Sequence, residues 1–188
     1  MKITLKNESQ KFSLPLKIFE SVHIADAISK DGEEFSIFVG LEKKYAGQLK
    51  ELSLDEKDSD LQKNTGDRKR FGESPYEDWY GKNRTPFCLV HKQTDALAAL
   101  VWLGPESLFS GEANWHTIGW RSYGAFRGKG IMKNFTQFAM DVYIRNFPNI
   151  TIWCAIKRGN AGSSNLASAL GFQISEEASD DASLVMIK

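Results

Sequence analysis

The chain has 188 residues, a length suited to one domain rather than two of ordinary size. Its 24 Lys and Arg balance 24 Asp and Glu, so no global field draws it onto nucleic acid or an anionic membrane. A hydrophobic fraction of 41%, with 12 Phe and 5 Trp, supplies core material and excludes wholesale disorder.

The most apolar stretch, residues 96–104, stops at Pro105, far short of the ~20 residues that cross a bilayer. Residues 1–19 carry polar side chains throughout, unlike the continuous apolar segment of a secretory signal. A cytoplasmic protein with no membrane partner is expected. Neither Cys88 nor Cys154 sits in a Cys-x-x-Cys pair, so both are expected as reduced core residues.

Residues 1–34 mix polar and apolar types without a catalytic signature and read as an N-terminal scaffold segment. Residues 35–39 then read as a short strand ended by Gly40. The run LDEKDSDLQKNTGDRKR at residues 54–70 holds almost no large apolar side chain. It reads as an exposed helix or a mobile, lid-like loop, with Arg68, Lys69 and Arg70 solvated. Ser74 and Pro75, followed by Glu77 and Asp78, form a helix start that gathers Tyr76, Trp79 and Tyr80 as core residues. Trp102 and Trp115 are likewise read as core rather than as an acceptor pocket.

Residues 87–91 and 97–103 form two β-type runs around the polar stretch Lys92-Gln93-Thr94-Asp95, which predicts an antiparallel pair. A third extended segment covers residues 115–123. Next, Ile131, Phe135, Phe138 and Val142 recur at helical spacing until Pro148, which predicts an amphipathic helix. Residues 150–156 are apolar on both faces, as in a central strand covered on both sides. Asn160 can cap a helix over residues 161–170 that Gly171 ends, and residues 172–174 and 184–187 make a closing strand pair. The order over residues 87–188 is strand, strand, strand, helix, strand, helix, strand, strand.

The most informative stretch is Arg127-Gly128-Lys129-Gly130-Ile131-Met132, at the junction of a strand and a helix. Such a junction offers unpaired N–H groups and the positive end of the helix dipole, and glycine lets an anion approach them. A pyrophosphate cradle and a plain glycine turn both fit these residues. A P-loop fails, because Gly130 follows Gly128-Lys129 and Tyr123 stands where its first glycine is required. A dinucleotide fingerprint fails as well, because Lys133 occupies its third small position. The three histidines form no metal pattern with neighbours, so no metal is expected, and no Gly-x-Ser-x-Gly elbow is present.

Arg127, Gly130 and Met132 occupy the positions of the motif Arg/Gln-x-x-Gly-x-Gly/Ala, with Met132 departing from the small last residue. Asn160, Ser163, Gly171 and Phe172 match Asn-x-x-Ala/Ser followed by Gly-Phe at the end of the next helix. With both motifs in this order, the sequence resembles the GNAT superfamily of acyl-coenzyme A dependent N-acyltransferases from about residue 87 to 188. The resemblance implies one α/β domain of the α+β type over residues 1–188. Its mixed, mostly antiparallel and splayed central sheet would be flanked by helices, with the cofactor-binding core in residues 87–188.

The same resemblance implies that acetyl-coenzyme A is the cosubstrate and an amine the acceptor, with a homodimer compatible and no nucleic acid expected. Backbone groups of Trp120, Ser122 and Tyr123 would pair with pantetheine. The amides of Gly128, Lys129, Gly130, Ile131 and Met132 would hold the pyrophosphate, with Arg127 and Lys129 adding charge. Asn160 would lie near the pantetheine, unless it serves only as a helix cap, and Ser163 near the cofactor's other arm. Where many members carry a tyrosine acid this chain has Ala167, a departure shared by members that modify protein N-termini. An attacking ammonium with a pKa near ~10.4 must first lose a proton. His116 and Glu112 are the nearest candidate bases, and His116 shares a strand face with Ile118, Trp120 and Ser122 that could meet the ligand or the core. Ala167 and Met132 motivate one alternative, a non-catalytic acyl-coenzyme A binding or regulatory module. Another is toxin-like acetylation of aminoacyl-tRNA.

Overall fold

Alternation of apolar side chains across the strands divides the interior into two cores, one on each face of a single sheet. The structure, a computed structural model, describes residues 1–6, 12–110 and 114–188. The described strands are β1 (Lys2–Leu5), β2 (Ser21–Ile28), β3 (Glu34–Gly40), β4 (Thr85–His91), β5 (Ala96–Pro105), β6 (Trp115–Ser122), β7 (Thr151–Lys157), β8 (Gln173–Ile174) and β9 (Ser183–Ile187). They lie side by side in the order β1-β2-β3-β4-β5-β6-β7-β9-β8. Every neighbouring pair is antiparallel except β6 and β7, which run parallel. The helices are α1 (Lys43–Leu54), α2 (Ser59–Asn64), α3 (Tyr76–Tyr80), α4 (Met132–Asn146) and α5 (Ala161–Ala169), with a π-helical turn at Arg68–Glu73 and a 3-10 turn at Gly124–Phe126. Among the described residues, no helix is long and apolar enough to cross a membrane.

On one face, Phe35, Ile37, Val39, Phe87, Val101, Ile118 and Trp120 pack with Phe135, Ala139 and Tyr143 of α4. The other face packs Cys88, Leu100, Trp102 and Tyr123 with Tyr45 and Leu49 of α1, Phe71 and Trp79. Even-numbered residues of β6 therefore point toward α4, and odd-numbered ones toward α1 and the π-turn. Cys88 and Cys154 are buried, unpaired thiols.

The strand pair at 87–103, the helix after Gly130 and the order of elements after residue 87 match the expectations from sequence. Three features differ. The scaffold segment contributes β1 and β2 to the same sheet. A register shift between His23 and Ala25 makes consecutive residues Ile24 and Ala25 buried, which breaks the alternation that marks a strand. Strand β7 is not covered on both sides: Ile152, Cys154 and Ile156 are buried while Ala155 and Lys157 are exposed. The segment at 54–70 takes the exposed-helix alternative in α2, where only Leu61 is buried, but with Leu61 and Asp67 buried it is no solvated loop.

Charge, not apolar area, anchors that segment. The fully buried Asp67 carboxylate accepts from Arg121 through Nε and, at 2.8 Å, through Nη2, and from Arg70 Nη1 at 2.8 Å. Asp58 caps α2 by accepting from Leu61 N–H at 3.0 Å and takes both Nη1 and Nη2 of Arg127 at 2.6 Å. Arg70 is thus turned inward, whereas Arg68 stays at the surface with Glu56 and Glu73. Removing one member of a buried ion pair leaves its partner unpaired, at a cost of about 3–5 kcal/mol. Asp67→Ala should lower unfolding stability by about that amount in urea titration, while Arg68→Ala leaves the midpoint unchanged. Equal effects would show that the buried pair is not what anchors the segment.

Candidate active site

Strands β6 and β7 pair only at Trp115–Thr151, His116–Ile152 and Thr117–Trp153. Beyond that point β6 continues on β5 and β7 on β9, so residues 118–122 and 154–157 face each other across a gap with no ladder between them. The gap opens into a cleft of about 670 Å³ that runs through the sheet. On the α4 side its walls include Trp120, Met132, Ser163 and Leu166. On the other side they include Gly119, Arg121, Leu61, Thr65 and Arg70.

At the α4 end the chain makes a glycine turn. Gly128 and Gly130 have φ of 75° and 66°, a left-handed conformation that glycine adopts without strain. No atom lies within 4 Å of where a Cβ would stand at either position, and no side chain caps the N-terminus of α4. This leaves an open cradle beside the positive end of a 15-residue helix dipole.

Of the expected cofactor residues, Trp120, Ser122, Arg127, Met132, Asn160 and Ser163 line the cleft. Gly128, Lys129 and Gly130 form the turn at its edge. Ile131 is buried at the start of α4, and the Tyr123 side chain is buried in the opposite core. Several groups already have partners. The Arg127 guanidinium is neutralised by Asp58 and its Nε donates to the Ser122 carbonyl at 2.9 Å. Lys129 meets Glu33 at 2.5 Å. The Trp120 carbonyl accepts from Arg121 at 2.6 Å, and Tyr123 N–H donates to the Ala98 carbonyl at 3.0 Å. Asn160 Oδ1 accepts from Ser163 N–H at 3.1 Å, so it caps α5, and Trp120 Nε1 donates to Ser163 Oγ at 3.3 Å. Ala167, where a tyrosine acid would sit, is fully buried.

His116 does not line the cleft. It lies in the paired part of β6 and is buried against Tyr143 and Phe147, with Nδ1 2.7 Å from the Tyr143 hydroxyl. Burial, with a smaller contribution from Arg84, pulls its pKa below the ordinary value. Glu112 lies outside the described residues. Asp58 shows the opposite electrostatics: burial pulls its pKa up, but Arg127 and the Leu61 N–H hold it below the ordinary value. No group of His, Cys, Asp and Glu among the described residues could hold a metal ion.

Sequence reasoning missed Asp58, Asp67 and Arg121, whose partners are distant in the chain, and read Arg70 as solvated although it turns inward to Asp67, three residues away. It also passed over Gly119, whose signal was a glycine inside a strand. A Cβ there would lie 2.5 Å from the Trp102 indole.

No protein-family model and no curated protein matches this sequence. Solved structures do match. The GNAT domain of S. lividans PAT is 13% identical over 87% of this chain and 94% of that one, with a TM-score of 0.65. The chain has the GNAT fold. Mycobacterium smegmatis RimJ, solved in complex with CoA-disulfide, is 13% identical over 90% of this chain and 87% of that one, with a TM-score of 0.63. A ribosomal-protein-S5-alanine acetyltransferase from Vibrio fischeri is 14% identical over 86% and 96%, with a TM-score of 0.59. Identities this low speak for a common GNAT fold, in which the parted parallel strands and the glycine turn are the features this chain presents.

Since the folded pKa of His116 lies below its ordinary value of 6.5, the unfolded chain binds the extra proton. His116 should therefore titrate below 6.5 by NMR, and its contribution to stability should fall as pH drops through that window. A midpoint at or above 6.5 would contradict the buried, Tyr143-bonded placement.

Proposed function

We propose that this protein is an N-acetyltransferase that moves an acetyl group from acetyl-coenzyme A to an amine. The observation that carries the reading is the gap between β6 and β7, joined to an open glycine cradle at the uncapped start of α4. The donor set fits the cofactor. Positive-φ glycines free the N–H groups at 128–132 to face a pyrophosphate, and unladdered backbone at 118–122 suits the amides of pantetheine. Carbonyl oxygens keep a second lone pair, so those of Trp120 and Ser122 can accept again. Asn160 and Ser163 would flank the other side, with Ser163 oriented by Trp120. The solved GNAT neighbours support the reading because acetyltransferases, one of them solved with CoA-disulfide, share this architecture.

Acetyl-coenzyme A brings an activated thioester whose thiolate is a fair leaving group near neutral pH. What the chain contributes is position: the cleft holds the amine and thioester together for direct attack, a contribution that alone lowers barriers strongly. His116 sits behind the wall and serves in this reading to fix Tyr143 and α4 rather than to take the proton. The two buried free thiols suit a reducing compartment such as the cytoplasm. A second reading, binding without turnover, is favoured by Ala167 and by the absence of histidine from the described cleft lining.

Calorimetry should show acetyl-coenzyme A binding to the wild type, with ATP and NAD as weak controls. In Gly130→Glu, a carboxylate in the cradle should weaken binding by about tenfold or more while circular dichroism stays native. Undiminished binding by the folded variant would place the pyrophosphate elsewhere. Free-thiol release with a panel of amines then separates the readings: turnover supports the transferase, and binding without release supports the passive module.

A further inference from the structure

The end of the cleft away from α4 has more cationic donors than acceptors. Arg70 and Arg121 share one carboxylate, Asp67, whose two oxygens are both used, so one positive charge of the group is uncompensated. Arg121 is tied down further by its bond to the Trp120 carbonyl. Arg70 is the freer member. Its side chain is one-third exposed and lines the cleft, and its remaining N–H groups have no partner among the described residues. The guanidiniums of Arg70 and Arg84 both lie over the Trp102 ring, at 5.5 and 5.3 Å, and Arg84 is already paired with Glu106. Trp102 Nε1, fully buried behind Gly119, and the nearby Tyr123 hydroxyl also lack partners. Burial and the neighbouring Arg121 charge, only partly offset by Asp67, pull the pKa of Arg70 below its ordinary value, which an anion beside it would counter. Asp60 is the single acidic side chain in the described lining. It makes no ion pair with Arg70, and Lys157 faces the same space.

Arg70 stands beside Phe71 and Trp102 on the face of the sheet opposite α4, whereas the glycine cradle lies at the start of α4, so the two occupy different parts of the cleft. We propose that Arg70 makes its part of the cleft selective for an acceptor amine that carries a carboxylate. The inference rests on the transferase reading and names the class of its acceptor. A guanidinium held from behind by Asp67 and stacked on Trp102 is pre-set to present its free N–H groups to a carboxylate. The same feature disfavours polycationic amines, which would meet Arg70, Arg121 and Lys157 with only Asp60 in return. Gly119 contributes by letting the Trp102 indole lie against β6, since a Cβ there would strike it.

The test compares matched acceptors by thiol release. One arm uses free amino acids against their carboxamides. The other uses tripeptides with aspartate against asparagine at the second position, which tells a free carboxylate from a peptide side chain. In at least one arm the carboxylate form should have a kcat/KM about tenfold or more above its neutral partner. Arg70→Gln should bring that ratio near one, and Arg70→Lys should restore part of it. Acetyl-coenzyme A affinity by calorimetry should be equal in all three proteins, and thermal melting should confirm that they fold. The inference is overturned if neutral acceptors match or exceed charged ones, if Arg70→Gln keeps the ratio, or if that variant loses cofactor affinity instead. Turnover without carboxylate preference would leave the transferase reading standing. Cofactor binding with no acetylation of any amine would remove both.

Discussion

Two parallel strands that pair for three residues and then part leave a row of backbone groups without ladder partners. Buried polar backbone must be satisfied, so such a divergence persists only where side chains, water or a ligand take over the missing bonds. In this chain the guanidiniums of Arg121 and Arg127 take some of them, at the Trp120 and Ser122 carbonyls. The rest of the molecule serves this gap. Strands β1 to β6 form one side of it and β7, β9 and β8 the other, α4 starts at one mouth, and the 54–70 segment closes over the other.

The closure is electrostatic. A segment with few large apolar side chains cannot hold itself down by burial, yet Asp58 and Asp67 fasten it to Arg127 and Arg121 across the strand end. Both arginines thereby have two tasks, since each also braces a carbonyl on the open edge of β6. The arrangement couples the second mouth of the cleft to the strand that lines the first. It also leaves Arg70 as a cation whose partner is already shared, which is where the charge balance of the cleft tips positive.

Much of this was legible in the sequence where the signal is local. Apolar spacing over residues 131–142 defines α4, the polar four-residue link predicts the β4–β5 hairpin, and Asn160 caps α5 as its position suggests. The glycines at 128 and 130 marked the turn, and both adopt the left-handed backbone that glycine reaches without strain. What remained hidden was non-local. Asp67 and Arg121 are 54 residues apart and Asp58 and Arg127 are 69 apart, so their charges look solvated until the chain is folded. The half-open face of β7 was missed because side-chain type cannot reveal that the face carrying Ala155 and Lys157 stays exposed in the fold. His116 shares the face of Trp120 as alternation requires, but that face at residue 116 meets α4, above the point where the strands part.

The most direct measurement is a crystal structure of the protein with coenzyme A. The account predicts pantetheine between residues 118–122 and 154–157, with the pyrophosphate at the N–H groups of 128–132. Coenzyme A bound outside the β6–β7 gap, or a gap that closes into a continuous parallel ladder, would contradict it.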